Sequence, residues 1–343
     1  MKIGVLTAGG DAPGLNAALR AIGRSVLTEG HELIGIHDGW AGLVGGLKGS
    51  SLQRPDLANI LREGGTRLGS IRYNLDEPEG GRQAVLDTIT RELDAVIAIG
   101  GDGTLQVAQW LAERGAPIVG VGKTLDNDLS HTEYCIGFDS AVSIVAEALD
   151  RLHTTAASHH RIMVVETMGR STGWVATMGG LAGGADFIAI PEVPVTLDDI
   201  TAHVRKRHER GSASSIVVIA EGVQLTSIGD HERANVHTDG IGRVQMARRS
   251  VGATLADHLS DTTGIETRFS VLGHLQRGGS PTAIDRIWAT RVGIAAADLV
   301  LAGKFGRMPS VRCAGVTDMP ISDAISEVHR VPEELWQLAG RFF

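Results

Sequence analysis

The sequence predicts an α/β protein of two αβα domains with mostly parallel sheets, and three observations carry that expectation. Short β-branched runs alternate along the chain with longer helical patterns, as they do when parallel strands are joined by crossover helices. Several of the runs are apolar throughout, as strands covered on both faces must be. Glycine is abundant, with 45 in 343 residues against an average of ~7%, and it is spread without a repeat. That pattern excludes a collagen-like fibre and suits many tight turns between strands and helices.

In chain order, the candidate strands are residues 2–7, 33–36, 95–99, 118–121, 162–166, 187–190, 216–220 and 268–272. The candidate helices are residues 15–28, 82–93, 105–114, 140–155, 197–210, 251–260 and 283–301. Residues 227–244 are polar and irregular and read as an exposed loop or hairpin insertion. No internal repeat or low-complexity linker interrupts the alternation. Hydrophobic residues make up 43% of the chain and aromatics only 4%, so the core is built from Ala, Val, Ile and Leu.

Bulk properties remove several classes of function. The net charge is −8 with no Lys/Arg-rich tract, which speaks against a nucleic-acid partner. Cys135 and Cys313 are too few for a disulfide framework or a zinc cluster and fit a reducing, cytoplasmic setting. The first residues run straight into a strand without a signal-peptide pattern. No apolar run approaches the ~20 residues of a membrane helix.

Ligands of open parallel sheets bind beyond the carboxyl ends of the strands, so the turn after each strand is where a site would form. Gly9-Gly10-Asp11 comes after the first strand, and Gly100-Gly101-Asp102-Gly103-Thr104 after residues 95–99. Lys123-Thr124-Leu125-Asp126-Asn127-Asp128 comes after residues 118–121, and Met168-Gly169-Arg170 after 162–166. Glu221-Gly222 and Gly273-His274-Leu275-Gln276-Arg277-Gly278-Gly279 close the series. Six such turns together exceed what loop chemistry alone explains.

In residues 100–104, glycines let backbone N–H groups approach a phosphate chain at a helix start. Asp102 can hold Mg²⁺ against that chain, although for this motif alone an ordinary Gly-rich turn is an equally good reading. NAD kinases and diacylglycerol kinases use the same motif, so it indicates phosphoryl transfer without naming the acceptor. Gly122-Lys123-Thr124 looks like the end of a P-loop, but the required first glycine is Pro117. The first turn has no Gly-x-Gly-x-x-Gly, which removes the main support for a nicotinamide site.

Residues 124–128 bring two carboxylates beside the candidate phosphate loop. Phosphoryl transfer to an alcohol wants a carboxylate that accepts the hydroxyl proton, and Asp126 suits that task. Thr124 can donate to the transferred group, and Asp128 can orient Mg²⁺ or Asp126. Asp/Asn-rich turns are also common without chemistry, and taken alone the pentapeptide slightly favours that reading. Arg72, Arg161, Arg170, Arg268, Arg277 and His274 lie in or beside these turns, and Arg suits bidentate phosphate recognition.

Taken together, these segments resemble the bacterial 6-phosphofructokinases. The match runs through residues 4–17, Gly64-Gly65-Thr66, 100–104, 124–128, 158–161, 168–170 and 272–281, in the family's order over most of the chain. The resemblance implies phosphorylation of the 1-hydroxyl of fructose 6-phosphate with Mg²⁺, within a subgroup whose members differ in phosphoryl donor. It implies Asp126 as general base and Asp102 as metal ligand. Gly10, Arg72, Tyr73, Gly101, Gly103 and Thr104 would line the donor site. Thr124, Met168, Gly169, Arg170 and Glu221 would hold the sugar. Arg161, Arg268, His274 and Arg277 would clamp its 6-phosphate, with Arg161 and Arg268 reaching in from a neighbouring subunit. A homotetramer or homodimer is thereby implied. The expected division is residues 1–138 plus about 275–302 for the donor and 139–274 plus about 303–343 for the sugar.

The sequence departs from the family pattern at the donor. ATP users carry Gly at the position of Gly103, where pyrophosphate users carry an obstructing Asp. Pyrophosphate users carry Lys at the position of Lys123, where typical ATP users carry Gly. An aspartate excludes nucleotide sterically, whereas a lysine only adds charge, so ATP is the expected donor and pyrophosphate the alternative. A catalytically silent sugar-phosphate-binding subunit is an alternative of another class, opposed by intact Asp102, Asp126 and Arg170.

At the family's allosteric phosphate site, Arg20, Arg24 and Arg54 match, but His153 stands where arginine is common and Gly211-Ser212-Ala213-Ser214-Ser215 replaces a lysine-bearing segment. The effector response is therefore expected to be weak or altered. Fructose 6-phosphate saturation curves with and without phosphoenolpyruvate should nearly superimpose, and a strong shift would contradict the loss of those cations.

Overall fold

Strands buried on both faces, with side chains alternating between two cores, set the fold. The computed structural model describes residues 1–77, 80–225, 237–238, 244–245, 250–313, 315–341 and 343. Its strands are β1 (Lys2–Thr7), β2 (Glu32–Ile36), β3 (Gly49–Ser51), β4 (Ala95–Gly100), β5 (Ile118–Gly122), β6 (Ile162–Thr167), β7 (Phe187–Ala189), β8 (Ser215–Ala220), β9 (His237–Thr238), β10 (Val244–Gln245), β11 (Thr267–Val271), β12 (Arg307–Arg312) and β13 (Gly315–Pro320). Its α-helices are α1 (Leu15–Thr28), α2 (Gly81–Glu92), α3 (Asp102–Ala112), α4 (Phe138–His159), α5 (Trp174–Ala182), α6 (Leu197–Glu209), α7 (Val251–Thr263), α8 (Ala283–Leu301), α9 (Ile321–Ala324) and α10 (Glu333–Gly340).

The chain forms two compact units, residues 1–140 with 277–329 and residues 141–276 with 330–343. The first unit holds a seven-stranded sheet in the order β13-β12-β5-β4-β1-β2-β3. Its centre is parallel, and the edge pairs β12–β13 and β2–β3 are antiparallel. Along β4, Ile97 and Ile99 join a core with Leu15, Leu19 and Ile22 of α1 and Ala289 and Val292 of α8. Val96 and Ala98 point the other way, into a core with Val85 and Ile89 of α2 and Leu105 and Leu111 of α3.

The second unit holds a parallel four-stranded sheet in the order β11-β6-β8-β7. Both β6 and β8 are buried along their whole length. A capping box between Thr196 and Asp199 starts α6. The Ser250 side chain starts α7, and Gly264, left-handed at φ 70°, ends it. Helix α4 begins in the first unit and continues into the second.

The division differs from the sequence expectation at residues 303–329, which the sequence places in the second domain. They belong to the first because β12 pairs with β5 and β13 pairs with β12. Of residues 227–244, only 237–238 and 244 are described, and β9 pairs antiparallel with β10; the rest of that expectation lies outside the described residues. Among the described residues no helix is long and apolar enough to cross a membrane.

Ile97 is 0% exposed at the middle of the first sheet. Ile97→Ala should lower the urea-unfolding free energy by about 2–5 kcal/mol through lost burial and a residual cavity. A loss below about 1 kcal/mol would show that the surrounding core closes over the gap.

Candidate functional site

Each unit gathers most of its candidate residues at the carboxyl ends of its parallel strands, whereas Arg161 and Arg268 lie at the amino ends of β6 and β11. In the first unit, three turns leave adjacent strands in the order β5-β4-β1. The turn after β4 becomes α3 at once, with Gly101 as N-cap and Asp102 as first helical residue. The N–H groups of Thr104 and Leu105 both return to the Gly101 carbonyl. Those two N–H groups are thereby used within the turn, and the start of α3 offers an anion the positive end of the helix dipole. Asp102 is exposed and accepts from Gln106 Nε2 at 3.4 Å.

The turn after β5 is deeply set. Thr124 is 9% exposed and Asp126 5%. The Asp126 N–H donates to Thr124 Oγ1 at 3.2 Å. Asn127 adopts φ 49°, a left-handed conformation that Asn tolerates, and its side chain accepts from Cys135 N at 2.9 Å. His329 donates its backbone N–H to the Asp128 carbonyl at 2.9 Å. The next helix is α4, well beyond this turn, which agrees with rejecting a P-loop.

Lys123 is 3% exposed, and its ammonium donates to the Gly10 carbonyl in the turn after β1. Arg277 donates through Nη1 to the Asp11 carbonyl at 2.8 Å. Its guanidinium lies over Gly10, where a Cβ would stand 2.8 Å from Nη1, so a side chain there would have to displace the guanidinium. Burial, with the Arg277 charge adding to it, pushes the Lys123 ammonium down to about 8; Asp11, Asp126 and Asp128 oppose the shift. By its motif Arg277 groups with the sugar-phosphate cations; in the fold it belongs to the first unit and grips the turn that holds Gly10. Arg72 is exposed and Tyr73 half-buried in the segment after residues 63–70. That segment is fixed by Asn16, whose side chain donates to the Glu63 and Gly64 carbonyls and accepts from Arg67 N.

In the second unit, Met168, Gly169 and Arg170 form the turn after β6. The Met168 N–H donates to Gln276 Oε1 at 3.4 Å, and the Arg170 N–H to Glu221 Oε1 at 3.2 Å. Arg170 is left-handed at φ 44° and exposed. A Cβ on Gly222 would collide with the Arg170 carbonyl oxygen, so Glu221-Gly222 and Met168-Gly169-Arg170 are fitted to each other. Arg161 and Arg268 both pair with Glu266, at 2.8 and 2.5 Å, and hold its carboxyl below the usual carboxylate range. His274 is exposed in the segment after β11.

Asn16 and Gln276 fall inside motif segments and Glu266 outside them, yet the sequence marks no role for any of the three, because the groups that Asn16 and Gln276 bond are far along the chain, as is Arg161 for Glu266. Of the residues matched to the family's allosteric site, Arg54 donates to Thr28 Oγ1 at 3.0 Å, and His153 Nε2 lies 2.8 Å from the Gly183 carbonyl. Among the described residues no group of three or more His, Cys, Asp or Glu is arranged to hold a metal. A single exposed carboxylate, Asp102, fits Mg²⁺, which keeps waters and takes other ligands from bound phosphates.

The family model described as Phosphofructokinase matches residues 2–300. A pyrophosphate–fructose 6-phosphate 1-phosphotransferase of Amycolatopsis mediterranei is 45% identical over 100% of both chains. An ATP-dependent 6-phosphofructokinase of Corynebacterium efficiens is 41% identical over 100% of this chain and 99% of its own. The solved phosphofructokinase of Saccharomyces cerevisiae superposes with a TM-score of 0.80 at 31% identity, over 95% of this chain. The present chain spans 45% of that yeast chain.

Because the Lys123 ammonium is held at about 8 in the fold against 10.5 unfolded, the unfolded state binds more protons between those values. Stability should therefore rise with pH from about 8 to 10.5 relative to Lys123→Met, by on the order of 3 kcal/mol. Urea unfolding of both proteins across that window measures it, and a parallel pH dependence would contradict the burial argument.

Proposed function

This chain belongs to the phosphofructokinase family, and from that premise we propose that it transfers the terminal phosphoryl group of ATP to the 1-hydroxyl of fructose 6-phosphate. The observation that carries the reading is the buried Asp126 in a turn fixed beside the α3 N-terminus. Asp126 accepts the proton of the 1-hydroxyl as the sugar oxygen bonds to phosphorus and the bridging oxygen leaves with ADP. Thr124 donates to the transferred group, and Asp128 supports the turn. The N–H groups at the start of α3 and Gly10 take the donor phosphates, with Arg72 and Tyr73 beside the nucleotide. Asp102 would hold Mg²⁺, which when bound would supply positive charge to the phosphate oxygens.

Met168, Gly169, Arg170 and Glu221 hold the sugar, and Arg161, Arg268 and His274 take its 6-phosphate. The shared Glu266 carboxylate keeps Arg161 and Arg268 together before a phosphate arrives. As the resemblance implies, the two arginines serve a neighbouring copy in a homotetramer or homodimer. The protein would work in the cytoplasm.

Gly103 supports ATP, because the second residue of α3 brings no side chain into the nucleotide's path. Commitment of the Lys123 ammonium to Gly10 also supports it, since that charge already has an acceptor. Pyrophosphate is the second reading. It is favoured by the presence of Lys123 itself and by the pyrophosphate-named relative at 45% identity.

Initial rates with fructose 6-phosphate and Mg²⁺, run with ATP and with pyrophosphate in parallel, decide between them. Turnover with ATP is expected, to be abolished by Gly103→Asp; turnover with pyrophosphate alone would overturn the donor assignment. Asp126→Asn should lower kcat by ~10²–10⁴-fold with fructose 6-phosphate binding retained, and full activity would remove Asp126 from the base role. Arg277→Ala separates its two assignments: a raised KM for fructose 6-phosphate places it on the sugar phosphate, and a raised KM for the donor places it on the Gly10 turn.

A further inference from the structure

The reaction as described uses no carboxylate from α8, yet α8 carries a fully buried one. Asp285 is 0% exposed in the first turn of α8, where its N–H donates to the N-cap Thr282 Oγ1 at 3.2 Å. A buried carboxylate needs donors on both oxygens, and Asp285 finds them far away in sequence. Oδ1 accepts from the Tyr134 hydroxyl at 2.6 Å and from Gly137 N at 2.7 Å. Oδ2 accepts from Ser140 N at 2.8 Å and Ser140 Oγ at 2.5 Å. Burial raises its pKa, and these same bonds oppose the rise.

All of those donors lie on one strap, residues 133–140, which links the 124–128 turn to α4. The other edge of the strap is bound to the site. Ile136 forms a parallel bridge with Lys123. Cys135 N donates to Asn127 Oδ1 at 2.9 Å, and Asn127 Nδ2 donates to the Glu133 carbonyl at 3.3 Å. Ile136 Cγ2 stands 2.7 Å from where a Cβ on Gly14 would lie, so the strap also backs the segment that begins with Gly9 and Gly10. A second tie runs from Thr282 Oγ1 to Asp139 Oδ2 at 2.5 Å.

We propose that Asp285 is a positioning residue for phosphoryl transfer: by fixing the 133–140 strap it holds the Asp126 turn and the Gly10 segment in register with each other. The inference rests on the proposed function, since it concerns how that base is placed. Asp285 touches neither substrate nor reacting atoms. Its effect belongs in kcat, because small displacements of a base and a donor site slow the chemical step more than they weaken sugar binding.

The test is steady-state kinetics of the full chain with fructose 6-phosphate and both donors, beside thermal unfolding. Asp285→Asn keeps the size but puts an amide NH₂ against N–H and O–H donors. It should lower kcat by about 10–100-fold while the KM for fructose 6-phosphate stays within about twofold. Tyr134→Phe and Ser140→Ala each remove one bond and should lower kcat by about three- to tenfold. Asn127→Ala combined with Asp285→Asn should cost less than the product of the separate losses, because both act through one strap. A lowered melting temperature with unchanged kcat in the folded variants would make Asp285 purely structural and overturn the proposal. If Asp285→Asn does not fold, the Tyr134 and Ser140 variants decide in the same way. Failure of the unmodified chain to turn over with either donor would sink the functional reading instead, and is read before any variant.

Discussion

In the first unit one long-range bond, from the Lys123 ammonium to the Gly10 carbonyl, ties the turn after β5 to the turn after β1. Gly10 comes after β1 and Lys123 after β5, and β4 lies between those strands in the sheet. The amine therefore bridges over the end of β4, where α3 begins. Such a buried cation is costly unless neighbouring groups stabilise it. Here Asp11, Asp126 and Asp128 favour its charge while burial and Arg277 oppose it. Asp126, the residue proposed as base, and Asp128 beside it are thus among the groups that make the bridging lysine tolerable.

Much of this is legible in the sequence, because buried parallel strands and capped helices announce themselves locally. The limits of β1, α1 and α8 can be read to the residue, since apolar runs and turn residues bound them. Helix α5 escapes such a reading, because Gly179, Gly180 and the next pair, Gly183-Gly184, look like a loop until packing against Val145 and Leu149 is seen. Strands β12 and β13 escape it because Pro309 and the interspersed polar residues break up the apolar run by which the other strands are recognised. Without those two strands, residues 303–329 have nothing in the sequence to tie them to the first unit.

The site is legible as a set of turns but not as a set of contacts. Glycine and carboxylate motifs after the strands mark residues 100–104 and 124–128, and the chemistry each can perform is set by residue type. Arg277 in its motif looks like one more phosphate cation, while its bond to the Asp11 carbonyl exists only once the chain is folded. Asp285 gives no signal beyond a Thr282-x-x-Asp285 cap pattern, since its acceptor role spans 145 residues to Ser140. In the second unit, Glu266 carries no motif, yet it gathers Arg161 and Arg268. Residues that orient others are invisible to motif reading because their partners are set by topology.

The central claim is that a phosphoryl group is moved to the 1-hydroxyl of fructose 6-phosphate, and phosphorus NMR of the reaction mixture tests it most directly. With ATP, Mg²⁺ and fructose 6-phosphate, a new sugar-phosphate resonance coupled to the C1 protons should grow as the resonances of ADP appear. Loss of ATP to inorganic phosphate without that resonance, or a phosphoryl group on any other carbon, would contradict the account.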